Sequence, residues 1–242
     1  MKLSVSLFFA GLFGALAAVF ILFSFGTDYW LLASEGCHSN PDGSDVEHGN
    51  VLVQDHGRNI TLYHEGFFWR CSFRGSVDEN HLITKLWFTN QPHSKECQPA
   101  YLFPFPVSYQ THNATEYDSA RIYRGFWSVF MLIGVAALIL GGFFIICAAP
   151  FASHCLYKAG GGFFLVSSLF LLCVVVMYVL WLQVMGVLDV YVSRQRSSLC
   201  PGFQLSISYG LSFMLAPVGI FFCLVSGLLF LLIGKTVRDH NH

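Results

Sequence analysis

Histidine is the residue type of this chain best suited to bind a metal ion or to carry a proton near neutral pH. Seven of the ten histidines lie between residues 28 and 124, namely His38, His48, His56, His64, His81, His93 and His112. Zinc sites space their ligands in short regular motifs, and none of these histidines falls at such a spacing. A scattered, solvated set is the simpler interpretation, so we predict no metal site.

The motifs of the common enzyme classes are missing from the sequence, which has no phosphate-binding loop, dinucleotide fingerprint, Gly-x-Ser-x-Gly elbow or His-Glu-x-x-His helix. The run Gly160-Gly161-Gly162 lacks the Lys and the Ser or Thr of a phosphate loop, and we interpret it as a flexible start to a helix. We predict that the chain is not an enzyme and needs no cofactor or small-molecule substrate.

The eight cysteines divide between polar and apolar segments. Those in polar segments are Cys37, Cys71, Cys97 and Cys200, and those in or beside apolar segments are Cys147, Cys155, Cys173 and Cys223. The four in polar segments permit three disulfide pairings. We favour Cys71 with Cys97, because both fall in a segment of β-strand character, and this leaves Cys37 for Cys200. Spacing alone does not decide among the three pairings.

The composition places the chain in a membrane. Hydrophobic residues make up 55% of it and charged residues 11%, with a mean hydropathy of +0.57, whereas soluble domains carry about 25% charged residues. Four charge-free runs each exceed the ~20 residues that cross a bilayer as a helix, and backbone in lipid must satisfy its hydrogen bonds internally. We predict membrane-spanning helices over residues 3–25, 126–147, 163–184 and 208–232.

This layout makes residues 1–242 a single four-helix membrane domain. The connections are a first outer loop over 26–125, an inner loop over 148–162, a second outer loop over 185–207 and an inner tail over 233–242. A cleaved signal peptide is the alternative for the first run. Its apolar stretch is longer than the ~7 to 15 residues of a signal core, so we predict that it is retained.

Ionisable side chains are absent from the predicted spans, which argues against a pump or channel, because ion pathways place such groups in the membrane. Pro217 removes one backbone donor from the fourth helix and is predicted to kink it. Small residues at helical spacing suit close helix contacts. On the fourth helix they form a candidate surface for a partner helix, made of Gly219, Cys223 and Gly227.

Glycosylation sequons orient the chain. Asn59-Ile60-Thr61 and Asn113-Ala114-Thr115 both lie in the first outer loop. Sequons and paired thiols belong to the lumenal or extracellular side, so we predict a plasma-membrane protein with cytosolic termini and with Asn59 and Asn113 glycosylated. Cys147 and Cys155 then lie at the inner membrane face, where thiols can be palmitoylated. Unmodified structural cysteines are an equal alternative.

The first outer loop has the period of β-structure. Its apolar positions Phe67, Trp69, Cys71 and Phe73 alternate with Phe68, Arg70, Ser72 and Arg74. Stretches over 59–64 and 82–89 are further predicted strands, and 39–50 is a predicted loop. We therefore expect a short antiparallel sheet standing on the helices, which makes the fold class an α+β membrane protein.

A signature runs through the same loop, with Trp30, then Gly66-Phe67-Phe68-Trp69-Arg70-Cys71, then Cys97, and Arg121 before the second helix. It resembles the Trp, Gly-Leu-Trp, Cys, Cys signature of the claudin superfamily, which includes claudins, peripheral myelin and epithelial membrane proteins, and calcium-channel gamma subunits. Three departures exist: an extra aromatic separates Gly66 from Trp69, one residue rather than two separates Trp69 from Cys71, and the pair Cys71 and Cys97 is widely spaced.

The resemblance implies a left-handed four-helix bundle that carries an extracellular β-sheet. It also implies that Cys71 and Cys97 tie the sheet and that Trp30 and Trp69 brace it. A buried Trp beside a disulfide usually stabilises a small sheet, so we expect these residues to serve stability rather than partner contact.

The resemblance further implies a function. The leading hypothesis is a regulator that binds another integral membrane protein side by side, in contact with lipid. An integrin β-subunit is named first by family analogy, with adhesion and muscle-cell differentiation as the process. The alternatives are a claudin-type cell–cell barrier or paracellular pore protein, although the tail lacks a Tyr-Val type ending, and an auxiliary subunit of an ion channel. A net charge of -1 suggests no nucleic-acid partner.

Overall fold

The computed structural model describes residues 3–37, 60–75, 95–100, 115–184 and 186–240, with 74, 75, 115–121, 187 and 240 described by their backbone alone. The helices are α1 Leu3–Gly26, α2 Thr115–Phe151, α3 His154–Gln183, α4 Val187–Ser198 and α5 Leu211–His240. The strands are β1 Leu31–Cys37, β2 Ile60–Glu65, β3 Trp69–Gly75, β4 Glu96–Pro99 and β5 Phe203–Tyr209.

Four of these helices are long and apolar enough to cross a membrane, and they overlap the four predicted spans. Their membrane-compatible stretches are Leu3–Gly26, Ile122–Phe151, His154–Gln183 and Leu211–Asp239. Large apolar side chains remain exposed on them, as expected for surfaces that contact lipid rather than water. The four-helix membrane architecture is therefore confirmed.

The predicted inner connection over 148–162 is mostly helix rather than loop. α2 continues to Phe151 and α3 begins at His154, so a two-residue turn joins them. Ala152 makes this turn with a positive φ of 43°. The loop was expected because Lys158 interrupts the apolar run, but a charge at a helix end can reach water while the backbone stays helical.

The glycine run 160–162 is regular helix rather than a flexible segment. Two of its glycines permit close helix packing. A Cβ at Gly160 would lie 2.6 Å from Cγ1 of Ile145 on α2, and a Cβ at Gly161 would lie 2.8 Å from the carbonyl oxygen of Gly227 on α5. Small residues at these crossings let the backbones approach, as is common between membrane helices.

The predicted partner-helix surface on α5 is also wrong, because its small residues face the interior of the bundle. A Cβ at Gly219 would lie 2.8 Å from Cγ1 of Ile21 on α1. Cys223 is fully buried, and its Sγ donates to the carbonyl oxygen of Phe164 on α3 at 3.3 Å. Spacing alone could not tell a contact within the chain from a contact with a partner.

Buried hydroxyls also join neighbouring helices. Ser226 of α5 donates to the carbonyl oxygen of Ala10 on α1 at 2.9 Å, and Ser167 of α3 donates to that of Gly134 on α2 at 2.7 Å. α5 therefore packs against α1 and α3, and α3 packs against α2. Pro217 lies inside α5, which continues to His240.

The sheet has five antiparallel strands in the order β4-β3-β2-β1-β5. β2 and β3 lie where strands were predicted over 59–64 and 67–73, whereas the predicted strand 82–89 and the predicted loop 39–50 fall outside the described residues. On β3, Cys71 and Phe73 are buried and alternate with the less buried Arg70 and Ser72. A small-sheet fold on four helices is confirmed.

The sequence does not predict β1 or β5, the two strands that attach the sheet to the helices. β1 follows α1 after four residues, and β5 is separated from α5 by Gly210 alone. β5 lies in the same charge-free run as α5, which is why the fourth helix was predicted to start at 208 rather than at Leu211. Strand pairing aligns Leu31 with Tyr209.

The second outer connection, between α3 and α5, also contains α4, which packs beside the sheet. Gly186, with φ of 60°, turns the chain from α3 into this helix. Tyr191 of α4 donates its hydroxyl to the carboxylate of Glu35 on β1 at 2.7 Å, and Nε of Arg196 donates to the carbonyl oxygen of Phe203 at 3.1 Å. The described parts of both outer connections therefore form one unit at the sheet end of the bundle, the end where α1 stops and α5 starts.

Candidate functional site: the junction of the sheet and the bundle

Trp30 lies at the centre of the junction. Its side chain is 1% exposed. Its ring centroid is 5.0 Å from that of Phe25, 4.7 Å from Phe67, 5.1 Å from Tyr178 and 5.6 Å from Phe213. These partners come from α1, the β2–β3 turn, α3 and α5, so a single indole joins the sheet to three helices. Aromatic pairs at such distances add to the energy of burial.

A group of hydrogen bonds surrounds the same indole. Nε1 of Trp30 donates to the carbonyl oxygen of Ser24 at 2.7 Å, and Oγ of Ser24 donates to the carbonyl oxygen of Ser212 at 2.6 Å. The hydroxyl oxygens of Ser212 and Thr27 are 2.6 Å apart. The backbone N–H of Ser212 donates to the carbonyl oxygen of Tyr29 at 3.1 Å. The end of α1 and the start of α5 are thus joined by direct hydrogen bonds.

The β2–β3 turn inserts one aromatic ring into this junction. Phe67 is 1% exposed and packs on Phe25 and Trp30. Trp69, in contrast, is 47% exposed. The expectation that Trp69 braces the sheet is therefore wrong, and Phe67 is the aromatic residue of this turn that packs into the junction.

The position of Phe67 also accounts for the departures from the family signature on either side of Trp69. If Phe68 occupies the place of the signature Trp, Gly66-Phe67-Phe68 matches Gly-Leu-Trp and two residues separate it from Cys71. Gly66 is required by space, since a Cβ there would lie 2.7 Å from Cα of Asp28 and 2.8 Å from the carbonyl oxygen of Thr27.

Two disulfides lie at the sheet end. Cys71 and Cys97 are directly paired on β3 and β4, with an S–S distance of 2.08 Å. Cys37, at the end of β1, is bonded to Cys200, which precedes β5, with an S–S distance of 2.01 Å. The first bridge fixes β4 to the sheet and the second joins the two connections, in the pairing favoured from the sequence.

Arg124 is a residue of this site that the sequence analysis missed. It is 2% exposed on α2, and its guanidinium carbon lies 5.7 Å from the ring centroid of Trp181 on α3. Trp127 packs perpendicular to Trp181 at 5.2 Å. Of Arg121, the basic residue matched to the family, the structure describes the backbone in α2 and not the side chain. The signal for Arg124 was its place directly before a charge-free run that contains Trp127.

Two carboxylates are partly or wholly removed from water beneath the sheet. Glu65 is buried and accepts two hydrogen bonds from Arg70, at 2.6 and 3.2 Å. Burial raises the pKa of Glu35, and the hydrogen bond from Tyr191 opposes this shift. Cross-strand pairing explains the first contact, since Glu65 lies directly opposite Arg70.

His64 is the one histidine of the first connection that the structure describes, and it is buried. Its ring stacks on Tyr29 at 4.6 Å, and Nδ1 donates to the carbonyl oxygen of Asp28 at 3.1 Å. Burial lowers the pKa of His64 to about 4, with a smaller contribution from the charge of Lys95. Burial likewise raises the pKa of Asp28. His64 is therefore a neutral structural residue near pH 7.

Metal chemistry finds no support in the described ranges, which contain no group of three or more His, Cys, Asp or Glu side chains placed to hold an ion. The other six histidines of the first connection, His38, His48, His56, His81, His93 and His112, lie outside the described residues, as do Asn59 and Asn113.

The remaining predicted site residues lie at the opposite end of the bundle. Cys155 is exposed at the start of α3, with Sγ 3.3 Å from Nε2 of His154, and Cys147 on α2 is half-buried. Neither is near the sheet, so the junction and these thiols are separate features.

The sequence of this four-helix, one-sheet chain matches a known family. A profile described as PMP-22/EMP/MP20/Claudin tight junction covers residues 15–232. The chain therefore belongs to this family of claudin-like membrane proteins.

Individual relatives match the whole chain. It is similar to proteins named Transmembrane protein 182. The one from Danio rerio is 57% identical over 245 residues, covering 98% of both chains. The one from Gallus gallus is 51% identical over 240 residues, covering 98% of both chains. The one from Homo sapiens is 48% identical over 242 residues, covering all of both chains.

Among the described residues the junction is closed, since its aromatic rings are buried and Ser24, Ser212 and the Trp30 indole bond to one another or to neighbouring backbone. What it can do is hold the sheet in a fixed orientation on the bundle. This places the functional interest on the surfaces that the sheet presents.

Proposed function

We propose that the chain is a non-enzymatic regulator of the plasma membrane that associates side by side with another integral membrane protein. The observation that carries this proposal is the fixed attachment of the sheet to the bundle through Trp30, with two disulfides that hold the sheet end together. A rigid surface loses little entropy on binding a partner. By family analogy the partner is an integrin β-subunit, and the processes are adhesion and muscle-cell differentiation.

The proposed topology places the sheet outside the cell and both termini in the cytosol. Both disulfides lie at the sheet end, and disulfides persist in oxidising compartments. α1 runs toward this end and α5 runs away from it. Peptide N-glycosidase should shift the mobility of the wild type expressed in mammalian cells, but not that of Asn59→Gln/Asn113→Gln. An unshifted wild-type band contradicts the topology.

The proposed surface for partner choice is the first connection, residues 28–124. It is the largest segment between the predicted membrane spans, and its seven basic and twelve acidic residues give it a formal charge of -5. Such a charge favours a basic partner surface and mainly raises the association rate. The rival surface on α5 is occupied within the chain, because Gly219 and Gly227 contact helices of the same chain.

Exchange of residues 28–124 with the matching segment of a related four-helix protein tests this surface. Capture of the integrin β-subunit from muscle cells should follow the exchanged segment. A chimera that keeps only the present helices and still captures the partner contradicts the role of the first connection. Proximity labelling of the unmodified chain, read by mass spectrometry, tests the identity of the partner separately and would also report an ion-channel subunit.

A cell–cell barrier or pore function is the second candidate, favoured by the exposure of all four residues of β4. β4 is the last strand of the sheet in the described ranges, and an edge strand can pair with another chain. Freeze-fracture of expressing cells separates the two functions, because polymerised barrier proteins form strands and a lateral regulator does not.

Cys155 is the proposed site of palmitoylation at the cytosolic face. Its thiol is exposed, whereas Cys147 is half-buried. Acyl exchange on the full chain should lose most of its signal in Cys155→Ser and little in Cys147→Ser. A signal that both variants retain contradicts this assignment.

A further inference from the structure

Two large aromatic side chains are exposed side by side at the β2–β3 turn. Phe68 is 42% exposed and Trp69 is 47% exposed. Pro99, directly opposite Trp69 on β4, is exposed as well. Large aromatics in water at neighbouring positions are unfavourable unless another surface covers them.

These side chains cannot turn inward, because hydrogen bonds fix the backbone on both sides. The N–H of Gly66 donates to the carbonyl oxygen of Trp69 at 3.0 Å, and the N–H of Ala100 donates to the carbonyl oxygen of Phe68 at 2.7 Å. Phe67 already occupies the inward position. The exposure of Phe68 and Trp69 is therefore a built feature of the turn.

The turn lies level with the end of a membrane-spanning helix. Gly66 is packed so tightly on Asp28 and Thr27 that a Cβ would collide with their backbone, and α1 ends at Gly26. Phe23, in the last turn of α1, is exposed and belongs to its lipid-facing surface. The exposed aromatic pair therefore lies close to the level at which the apolar surface of α1 ends.

We propose that Phe68 and Trp69 are seated in the headgroup boundary of the lipid leaflet at the sheet end of the bundle. Tryptophan is enriched at this depth because its ring is apolar and its N–H can bond to headgroups or water. Phe68 supplies apolar area beside it. The lipid surface holds the outer side of the same turn whose inner side is held by Trp30.

Quenching of tryptophan emission by brominated lipid tests this contact in the full-length protein. The protein is placed in nanodiscs of phosphatidylcholine that carries bromine close to the headgroup. Trp30, Trp127 and Trp181 are buried, and subtracting the emission of Trp69→Phe from that of the wild type isolates Trp69. We expect brominated lipid to remove most of this difference emission and aqueous iodide to remove little of it.

Each other outcome overturns the proposal. Strong quenching by iodide with little quenching by bromine would place Trp69 in water. Protection from both quenchers would show that protein covers it, either a partner or a second copy. The variant Phe68→Trp/Trp69→Phe moves the indole by one residue as a second reporter, and it too should be quenched by bromine rather than iodide.

Discussion

The indole N–H of Trp30 donates to the carbonyl oxygen of Ser24 at 2.7 Å. Ser24 lies in the last turn of α1, where backbone carbonyls have no partner within the helix. After α1 the chain turns, and the indole of Trp30 lies back against the helix end and donates a hydrogen bond to its free carbonyl oxygen. Trp30, which joins the sheet to the bundle, therefore also caps the end of α1.

Trp30→Phe should lower the free energy of unfolding by roughly 2–4 kcal/mol, since it removes a buried donor and creates a cavity in a packed aromatic cluster. Trp69→Phe, at an exposed position, should change it by less than about 0.5 kcal/mol. Thermal unfolding in detergent measures both. Equal effects of the two changes would contradict the central place of Trp30.

Gly66→Ala should destabilise the protein by about 1–3 kcal/mol, because its new Cβ would lie 2.7 Å from backbone of the α1–β1 turn and overpacking forces that backbone to move. Gly36→Ala is the matched control in the same sheet, with its nearest neighbour, Cγ1 of Ile60, at 3.5 Å. If both variants melt with the wild type, the turn does not pack as described.

His64 should make the protein sensitive to acid. The pKa of His64 is lowered in the folded state to about 4 from a usual value of 6.5, so between these values the unfolded chain binds more protons. Stability is complete above pH 6.5 and falls as the pH drops toward about 4, by about 3 kcal/mol at most. His64→Asn keeps a donor for Asp28 and should flatten this slope in pH-dependent unfolding.

Asp28 and Glu35 have raised pKa values and act with the opposite sign, since their contribution is complete below the usual carboxyl range and is lost as the pH rises through the raised pKa. Both carboxylates are present in wild type and in His64→Asn, so the difference between the two proteins isolates the histidine. Parallel pH profiles for the two proteins would contradict the assignment.

Cys71→Ser and Cys97→Ser should each cost roughly 2–5 kcal/mol and reduce surface delivery, as is usual for a disulfide in a small extracellular domain. Cys173→Ser, at a free cysteine of α3, is the control that should reach the surface normally. Surface biotinylation gives the comparison. A Cys71–Cys37 peptide in non-reducing mapping would show that the sheet is bridged differently.

Gly219→Ala and Gly11→Ala should have opposite effects, although both glycines lie in membrane helices. A Cβ at Gly219 would lie 2.8 Å from Ile21 and 3.1 Å from the backbone nitrogen of that residue, while one at Gly11 would meet nothing within 4 Å. The first change should destabilise the bundle, and the second should be neutral or gain up to about 1 kcal/mol of helix propensity. Thermal melts of equal sign for both would contradict the internal position of Gly219.

The helices could be predicted from the sequence because a charge-free run of sufficient length has one solution in lipid. The β2–β3 hairpin could be predicted from alternation at Cys71 and Phe73. β5 could not, because its seven residues merge with the apolar helix that follows. The connection over 148–162 was predicted as a loop because it contains Lys158 and a run of glycines. Polar and glycine residues can, however, continue a helix beyond the bilayer, and here they do.

The junction was harder to predict than the elements it joins. Trp30 could be selected by its resemblance to a family signature, but nothing in the local sequence distinguishes the buried Phe67 from the exposed Trp69. That difference depends on how the β2–β3 turn packs on the end of α1, where Gly66 lies against Asp28 and Thr27. The burial of Arg124 was not predicted for a similar reason, because it depends on Trp181 of another helix.

The two disulfides differ in how far apart their cysteines lie along the chain, 26 residues for Cys71–Cys97 and 163 residues for Cys37–Cys200. In the proposed topology this separation determines the order in which the two bridges can form during biosynthesis. The first bridge can close while the ribosome is still making the second membrane helix. The second must wait until three helices have been inserted and residue 200 has been translocated. A quality-control step that senses the unpaired thiol of Cys37 would therefore detect a chain whose later helices have not yet assembled.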